Sequence, residues 1–156
     1  MKKHYKCRVI IDSEVVKKHK IYEPSQIAFF IMAHLYDPDG WRKQGYSFEN
    51  VIEGEDILIR LSLPETIEKK CGLPKQLSCA ELGGRLVYLN SDRWFKGSKK
   101  SKLNLPDYRH YMINHEIGHI LGFEHTKCPC IGCKVPIMVQ QTLGLQGCKP
   151  DHGNVR

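Results

Sequence analysis

A chain of 156 residues that is 41% hydrophobic and 26% charged is long enough to bury one core and has the composition of an ordinary globular protein. No stretch approaches the roughly 18 apolar residues of a membrane span, so we expect one soluble domain over residues 1–156 with no membrane partner. The net charge of +7 is concentrated in the first 20 residues and in a lysine-rich segment, Lys96–Lys102.

These basic segments allow two interpretations. One is a patch that binds nucleic acid or another acidic surface, and the other is a solvated, lysine-rich surface. Neither interleaved aromatic residues nor a known nucleic-acid motif accompanies the lysines. We therefore favour the solvated surface and do not expect a nucleic-acid partner.

The N-terminal segment predicts a strand rather than a signal peptide. A signal peptide follows its basic start with an apolar run of about 7–15 residues, whereas the apolar run before Asp12 is only Val9–Ile11. The chain is therefore expected either not to use the usual export route or to lack its leader.

The first third of the chain predicts one strand followed by one amphipathic helix. Tyr5–Ile11 is rich in β-branched residues and predicts the strand, and Glu14–Ile21 is expected to extend it or to turn. Pro24 opens a helix whose apolar stripe reaches Leu35. The turn residues Asp37–Gly40 then end this helix.

The middle of the chain predicts further strands and long connections. Tyr46–Ile52 predicts a strand, and Asp56–Leu63 alternates apolar and polar side chains at period two, as a half-buried strand does. Pro64–Cys79 is polar and interrupted by proline and glycine, which predicts a loop with at most one helical turn. Arg85–Asn90 predicts a strand, and Ser91–Leu105 is expected to be a connector.

A second helix is expected to begin near Asn104 and to carry the sequence HEIGHILGFEH, which runs from His115 to His125. Residues four apart lie on the same face of a helix, so His115 and His119 can bind one ion at the Zn–N distance of about 2.0–2.1 Å. Gly122 breaks the helix where a left-handed residue is needed. The turned chain can bring back His125 as a third ligand.

Glu116 lies about 100° round the helix from His115, so it cannot ligate with the pair but can reach a metal-bound water. Three imidazoles, an open fourth position and an adjacent carboxylate are typical of a hydrolytic zinc site. The full spacing HExxHxxGxxH is the metzincin signature, and VPIM supplies Met138 for the Met-turn that should follow it. The alternative is a buried helix whose histidines only make hydrogen bonds, and in that case the match to the signature would be a coincidence. We therefore expect one catalytic Zn²⁺ per chain.

The match extends beyond the motif. The segments YRHYMINHEIGHILGFEH and PIMVQQTLGL, followed by Cys148, resemble a small family of secreted, metzincin-like actinobacterial proteins described as a domain of unknown function. Further matching segments are Asp37–Trp41, Ser62–Ile67 with Cys71, Ser78–Cys79 and Val87–Trp94. The similarity spans nearly the whole chain and suggests secretion, but it names no substrate.

The resemblance implies an α+β fold of the metzincin type. Its expected parts are a twisted mixed β-sheet with a backing helix, the zinc helix, and a short irregular C-terminal subdomain that contains the Met-turn. The boundary between the N-terminal and C-terminal subdomains should fall near residue 122, which gives segments of about 1–122 and 123–156.

The resemblance also implies where a substrate binds. In metzincins the strand that precedes the zinc helix is the edge of the cleft, and it holds an extended substrate through main-chain hydrogen bonds. The corresponding strand here consists of Leu86, Val87, Tyr88, Leu89 and Asn90. The expected partner is therefore a protein or peptide substrate, bound by a monomer.

Seven cysteines indicate either disulfides or a second metal site. The sequence CPCIGC together with Cys148 could hold a structural zinc ion on four thiolates, whereas disulfides would suit an exported domain. We favour disulfides. The resemblance implies the bridges Cys71–Cys79 and Cys128–Cys148, and the other two cysteines of CPCIGC depart from the family pattern.

The resulting hypothesis is a zinc metalloendopeptidase in which Glu116 assists the attack of a zinc-bound water on the peptide bond. Gln140 stands where some metzincins have a tyrosine, so another group must stabilise the oxyanion that forms during hydrolysis. One alternative is a catalytically weak or inactive zinc-binding module with a partner-binding role, against which the retained Glu116 argues. Another is a nucleic-acid-binding protein with CPCIGC as a zinc knuckle, but the spacing is not that of a standard knuckle.

Overall fold

The computed structural model describes residues 2–153 and 155, and its five strands form one sheet. The strands are β1 (His4–Ile11), β2 (Ser47–Asn50), β3 (Ile57–Ser62), β4 (Cys79–Ala80) and β5 (Leu86–Asn90). Their order across the sheet is β2-β1-β3-β5-β4. The pairs β2–β1, β1–β3 and β3–β5 are parallel, and β5–β4 is antiparallel.

The helices of the described residues are α1 (Ser13–His19), α2 (Pro24–Leu35), α3 (Pro64–Cys71), α4 (Ser91–Lys96) and α5 (Leu105–Ile120). Short 3-10 turns lie at Trp41–Gln44, Lys99–Ser101 and Gln141–Leu143. The fold is thus mixed α/β, which agrees in general terms with the predicted α+β class. None of the helices in residues 2–153 is long and apolar enough to cross a membrane.

The middle strand β3 lies in the core, as strands of a parallel sheet covered by helices usually do. Its Ile57 and Ile59 side chains have no exposed surface. Just after β1, Asp12 accepts hydrogen bonds from Arg60 Nε at 2.9 Å and from Ser62 Oγ at 2.5 Å. These bonds join the end of β1 to β3 and hold the two strands in register.

Helix α5 passes through the middle of the domain. It begins as the sequence predicts, with Pro106 in the first turn and Asn104 Oδ1 accepting a hydrogen bond from the Asp107 N–H at 2.9 Å. Its residues from His110 to Ile120 are all buried. A helix buried around its whole circumference can carry its functional side chains only towards an internal cleft.

Three segments that the sequence predicts as non-helical contain short helices. Glu14–Ile21 lies largely in α1, the expected loop Pro64–Cys79 begins with α3, and the expected connector Ser91–Leu105 begins with α4. These helices have six to eight residues, too few for a clear apolar period. The ends of α3 nevertheless carry standard signals, with Pro64 in the first turn and Gly72 left-handed at the end (φ 68°).

The prediction that Leu86–Asn90 forms the edge of the sheet is wrong. This strand, β5, pairs with β3 on one side, and on the other side Tyr88 pairs with Cys79 and Val87 with Ala80. The edge position belongs to β4, whose two residues are too few to show the alternation by which strands are recognised. Leu86–Asn90 therefore cannot offer a free edge to an extended peptide.

Asn90 explains why the chain before β4 lies beside β5. Its side chain is fully buried, and its Nδ2 donates to the carbonyl of Lys75 at 2.6 Å and to that of Leu77 at 3.2 Å. Its Oδ1 accepts from the N–H groups of Asp92 at 2.9 Å and Arg93 at 3.2 Å, so it is also the N-cap of α4. The Asn90 amide thus joins the segment before β4 to both β5 and α4.

The cysteines form three disulfides, Cys71–Cys79, Cys128–Cys148 and Cys130–Cys133. The first two join the cysteines that the resemblance pairs, and the third adds a bridge within CPCIGC. These pairings leave no free thiolates for a four-cysteine zinc site. Cys7 is free and has no exposed surface, and burial raises the pKa of its thiol to about 12.

The Asn90→Ala variant should lower the free energy of unfolding by about 2–4 kcal/mol, because it removes an N-cap worth about 1 kcal/mol and two partly buried hydrogen bonds to the carbonyls of Lys75 and Leu77. Asn104→Ala is a matched control, since Asn104 caps α5 from an exposed position. It should cost only about 1 kcal/mol. Chemical denaturation of both variants measures the difference, and equal losses would contradict the anchoring role of Asn90.

Candidate metal centre

Three histidines converge where α5 ends. His115 and His119 lie one turn apart on the buried helix, and they are only 3% and 9% exposed. The chain then turns at Gly122, whose φ of 103° favours glycine, and its N–H bonds to the carbonyl of His119 at 3.0 Å. This turn returns His125 to the same face, as the sequence predicts.

One ring nitrogen from each of His115, His119 and His125 lies within 4.8 Å of the other two, and this group could hold a metal ion. The Nε2 atoms of His119 and His125 are 3.1 Å apart. No other group of three or more His, Cys, Asp or Glu side chains in residues 2–153 and 155 comes together in this way. The sequence motif and the geometry therefore select the same three side chains.

Backbone carbonyls orient two of these imidazoles. His115 Nδ1 is 2.8 Å from the carbonyl oxygen of Ile137, and His119 Nδ1 is 2.9 Å from that of Phe123. Since a carbonyl only accepts, each Nδ1 carries the proton and donates it. The lone pair is then left on Nε2, which is the arrangement of a metal-binding histidine with an outer hydrogen bond.

Burial also sets the charge of the site. It lowers the pKa of His115 to about 3 and lowers the pKa values of His119 and His125. All three imidazoles are therefore neutral near pH 7, and the neutral form is the one that binds a metal. Burial acts in the opposite sense on Glu116, whose pKa it raises to about 8. A cation beside Glu116 would favour its carboxylate form.

The histidines and Glu116 open into one cleft. Helix α5 supplies one wall, and β4 with the residues before it supplies another. Residues of these walls and of the C-terminal segment are Leu77, Ser78, Cys79, Ala80, Tyr111, Met112, His115, Glu116, His119, His125, Gln140 and Thr142. None of the residues Leu86–Asn90 lines this cleft.

A family model described as "Protein of unknown function (DUF3152)" matches residues 1–151. The chain belongs to the DUF3152 family. A comparison with curated proteins finds no match. Since the family description names no activity, the chemistry of this DUF3152 domain has to be argued from its site.

Met138 packs against α5 rather than lining the cleft of the DUF3152 domain. Its sulfur contacts the position that a side chain at Gly118 would occupy, and the Trp41 ring is 2.8 Å from the same position. Met138 is itself buried, and its carbonyl accepts a hydrogen bond from the Thr126 N–H at 3.0 Å. Thr126 directly follows the third histidine, so this contact also holds His125 in place.

Two residues that position the segment 136–141 were not predicted from the sequence. The Tyr111 hydroxyl donates to the Val139 carbonyl at 3.3 Å and accepts from the Gln141 N–H at 3.0 Å. Gln141 is fully buried, and its Nε2 donates to the Pro136 carbonyl at 3.2 Å. Tyr111 lies one turn before His115 on the metal-facing side of α5. A polar residue at that position was the signal from which the sequence could have identified Tyr111.

The Gly118→Ala variant should be destabilised by about 1–3 kcal/mol, because its methyl group would displace Met138 and Trp41 from a filled core. Gly153→Ala is the control, since the nearest atom to its added carbon would be 3.4 Å away. Thermal unfolding should show a clear fall in Tm for the first variant and little change for the second. Equal Tm values would mean that Met138 can move without cost.

A divalent transition metal should bind with a stoichiometry of one per chain and raise the Tm. A metal present at 100 times its dissociation constant stabilises the folded state by about 2.7 kcal/mol. His119→Ala should abolish this rise, whereas the exposed His4→Ala should retain it. Elemental analysis and thermal unfolding with and without a chelator measure both effects. A second metal ion that survives the His119 substitution would contradict a single centre.

Proposed function

We propose that this protein is a zinc metallopeptidase that hydrolyses internal peptide bonds. The observation that carries the proposal is the placement of Glu116. Glu116 directly follows His115 in the chain, is only 7% exposed, and lines the same cleft as the three histidines. A purely structural metal site would have no use for a buried carboxylate in the same cleft.

The donor set fits zinc. Three neutral imidazoles leave a fourth position for water or substrate, as in catalytic zinc sites. Two nitrogens bound tetrahedrally to one ion at about 2.0–2.1 Å are roughly 3.3 Å apart, close to the 3.1 Å between Nε2 of His119 and Nε2 of His125. The carbonyls of Ile137 and Phe123 supply the outer hydrogen bonds. The HExxHxxGxxH resemblance to metzincins leads to the same assignment.

A zinc ion held there would supply a Lewis acid that polarises the scissile carbonyl and makes water acidic near neutral pH. Glu116 would act as the general base, taking a proton from the attacking water and passing it to the leaving amine. Burial raises the pKa of Glu116, and the charge of a zinc ion beside it would lower that pKa again, which would leave the carboxylate form available as the base. A general base works best when its pKa lies near the operating pH.

The substrate would bind along β4. This edge strand lines the cleft beside the histidines, and an edge strand has N–H and C=O groups free on its outer side. An extended peptide can pair with such an edge. The role that the sequence assigned to Leu86–Asn90 thus passes to Cys79–Ala80, which the bridge to Cys71 ties to α3.

The disulfides favour an oxidising location. Disulfides persist outside the cytosol and are rare within it, and three of them connect the described part of this chain. We therefore propose that the peptidase acts after export, on proteins or peptides that it meets outside the cytosol.

The test compares wild type with Glu116→Gln, which keeps the shape of the side chain but removes the base. Peptide cleavage should fall by about 10²–10⁴-fold, while one zinc ion per chain stays bound. Glu68→Gln is the matched control, because Glu68 is an exposed glutamate of α3 that lies outside the cleft. Mass spectrometry of a digested peptide library measures cleavage.

Two outcomes of this experiment would decide against the proposal. Equal cleavage by wild type and Glu116→Gln would assign the activity to a contaminant. If neither protein cleaves any peptide while the zinc site is filled and the fold is intact, the peptidase proposal fails. A partner-binding role for the zinc domain would then replace it.

A further inference from the structure

The cleft continues in both directions along residues 76–82. Beyond Thr142, which lines the central cleft, lies a groove bordered by Gln76, Arg93, Lys96, Lys99, Lys100 and Thr142 itself. We call this the basic groove. In the opposite direction, past Ala80, the surface is bordered by Leu82 and Glu124. A chain extended along β4 would therefore meet positive charge at one end only.

The basic groove contains four cations, Arg93, Lys96, Lys99 and Lys100. Among the described residues, neither Arg93 nor Lys96, Lys99 or Lys100 forms a salt bridge. Arg93 Nη1 donates to the Gly97 carbonyl at 2.9 Å, but its Nε is buried without a hydrogen-bond partner. None of the described residues that border the groove carries a carboxylate.

The lysines stand on a loop that is fastened to the cleft. Ser98 Oγ donates to the Thr142 carbonyl at 2.8 Å, and Ser101 Oγ donates to the Ser98 carbonyl at 2.6 Å. Both serines are buried. Thr142 Oγ1 is also hydrogen-bonded to the Tyr108 hydroxyl of α5 at 2.7 Å. These bonds therefore hold the loop that carries Lys99 and Lys100 at a set position relative to the helix that carries Glu116.

We propose that the substrates are proteins or peptides with a run of acidic side chains on the side of the scissile bond that lies past Thr142. This inference rests on the proposed function and specifies the substrate of that site. Aspartate and glutamate side chains there would pair with the lysines of the basic groove. Acidic side chains at the other end would meet Glu124, and the repulsion between like charges would disfavour that orientation.

The experiment measures binding separately from cleavage. Fluorescein-labelled peptides with four acidic residues in one half, with glutamines in their place, or with four lysines are titrated against the Glu116→Gln protein. The acidic peptide should bind most tightly, and 0.5 M salt should weaken its binding, because salt screens exposed charge pairs. The double variant Lys99→Glu, Lys100→Glu should bind it about tenfold more weakly.

A matched control changes net charge by the same amount at a distant place. Lys69 and Lys70 are exposed residues of α3 that lie outside the basic groove, and Lys69→Glu, Lys70→Glu should leave binding unchanged. An equal loss in both double variants would overturn the proposal, because it would show an effect of net charge alone. Tighter binding of a single-stranded oligonucleotide of equal charge would overturn it in favour of a nucleic acid.

Cleavage by the wild type then distinguishes this inference from the proposed function. If acidic peptides bind selectively through the basic groove but are never cleaved, the ligand class stands and the peptidase proposal fails. If a peptide library is cleaved without any enrichment of acidic residues on one side of the cut, the peptidase proposal stands and the inference fails.

Discussion

The contact between α5 and the segment Ile137–Met138 is the constraint on which the candidate site depends. The segment can approach the helix closely because Gly118 has no side chain, and at this distance the Ile137 carbonyl reaches His115 Nδ1. On the other side, the Met138 carbonyl holds Thr126 and with it the end of the turn that carries His125. A shift of this one segment would therefore disturb the first and third histidines together.

Burial of α5 has two consequences that support each other. Desolvation lowers the pKa values of the three imidazoles, which favours the neutral form whose free ring nitrogen can bind a metal. The same desolvation makes an isolated Glu116 carboxylate costly, and a bound cation would offset that cost. A bound metal ion and the Glu116 carboxylate would thus stabilise each other.

Local spacing determines what the sequence could predict. The separation of four residues between His115 and His119 and the glycine at position 122 act within one helix and its end, and there the expected convergence agrees with the structure. Which strand lies at the edge of the sheet depends instead on the hydrogen bonds from Asn90 to the carbonyls of Lys75 and Leu77. These contacts join residues far apart in the chain, so the alternation of apolar residues cannot predict them. The short helix α4 could have been recognised from the same asparagine, which is a standard N-cap residue.

Cys7 has a further consequence for how the protein behaves under oxidising conditions. Thiol–disulfide exchange proceeds through the thiolate, and a fully buried thiol with a pKa of about 12 supplies almost none. The unpaired cysteine therefore cannot reshuffle the three bridges or cross-link two molecules while β1 stays in the sheet. A thiol reagent can reach it only when the strand opens, so the rate at which Cys7 is labelled reports how often β1 leaves the sheet.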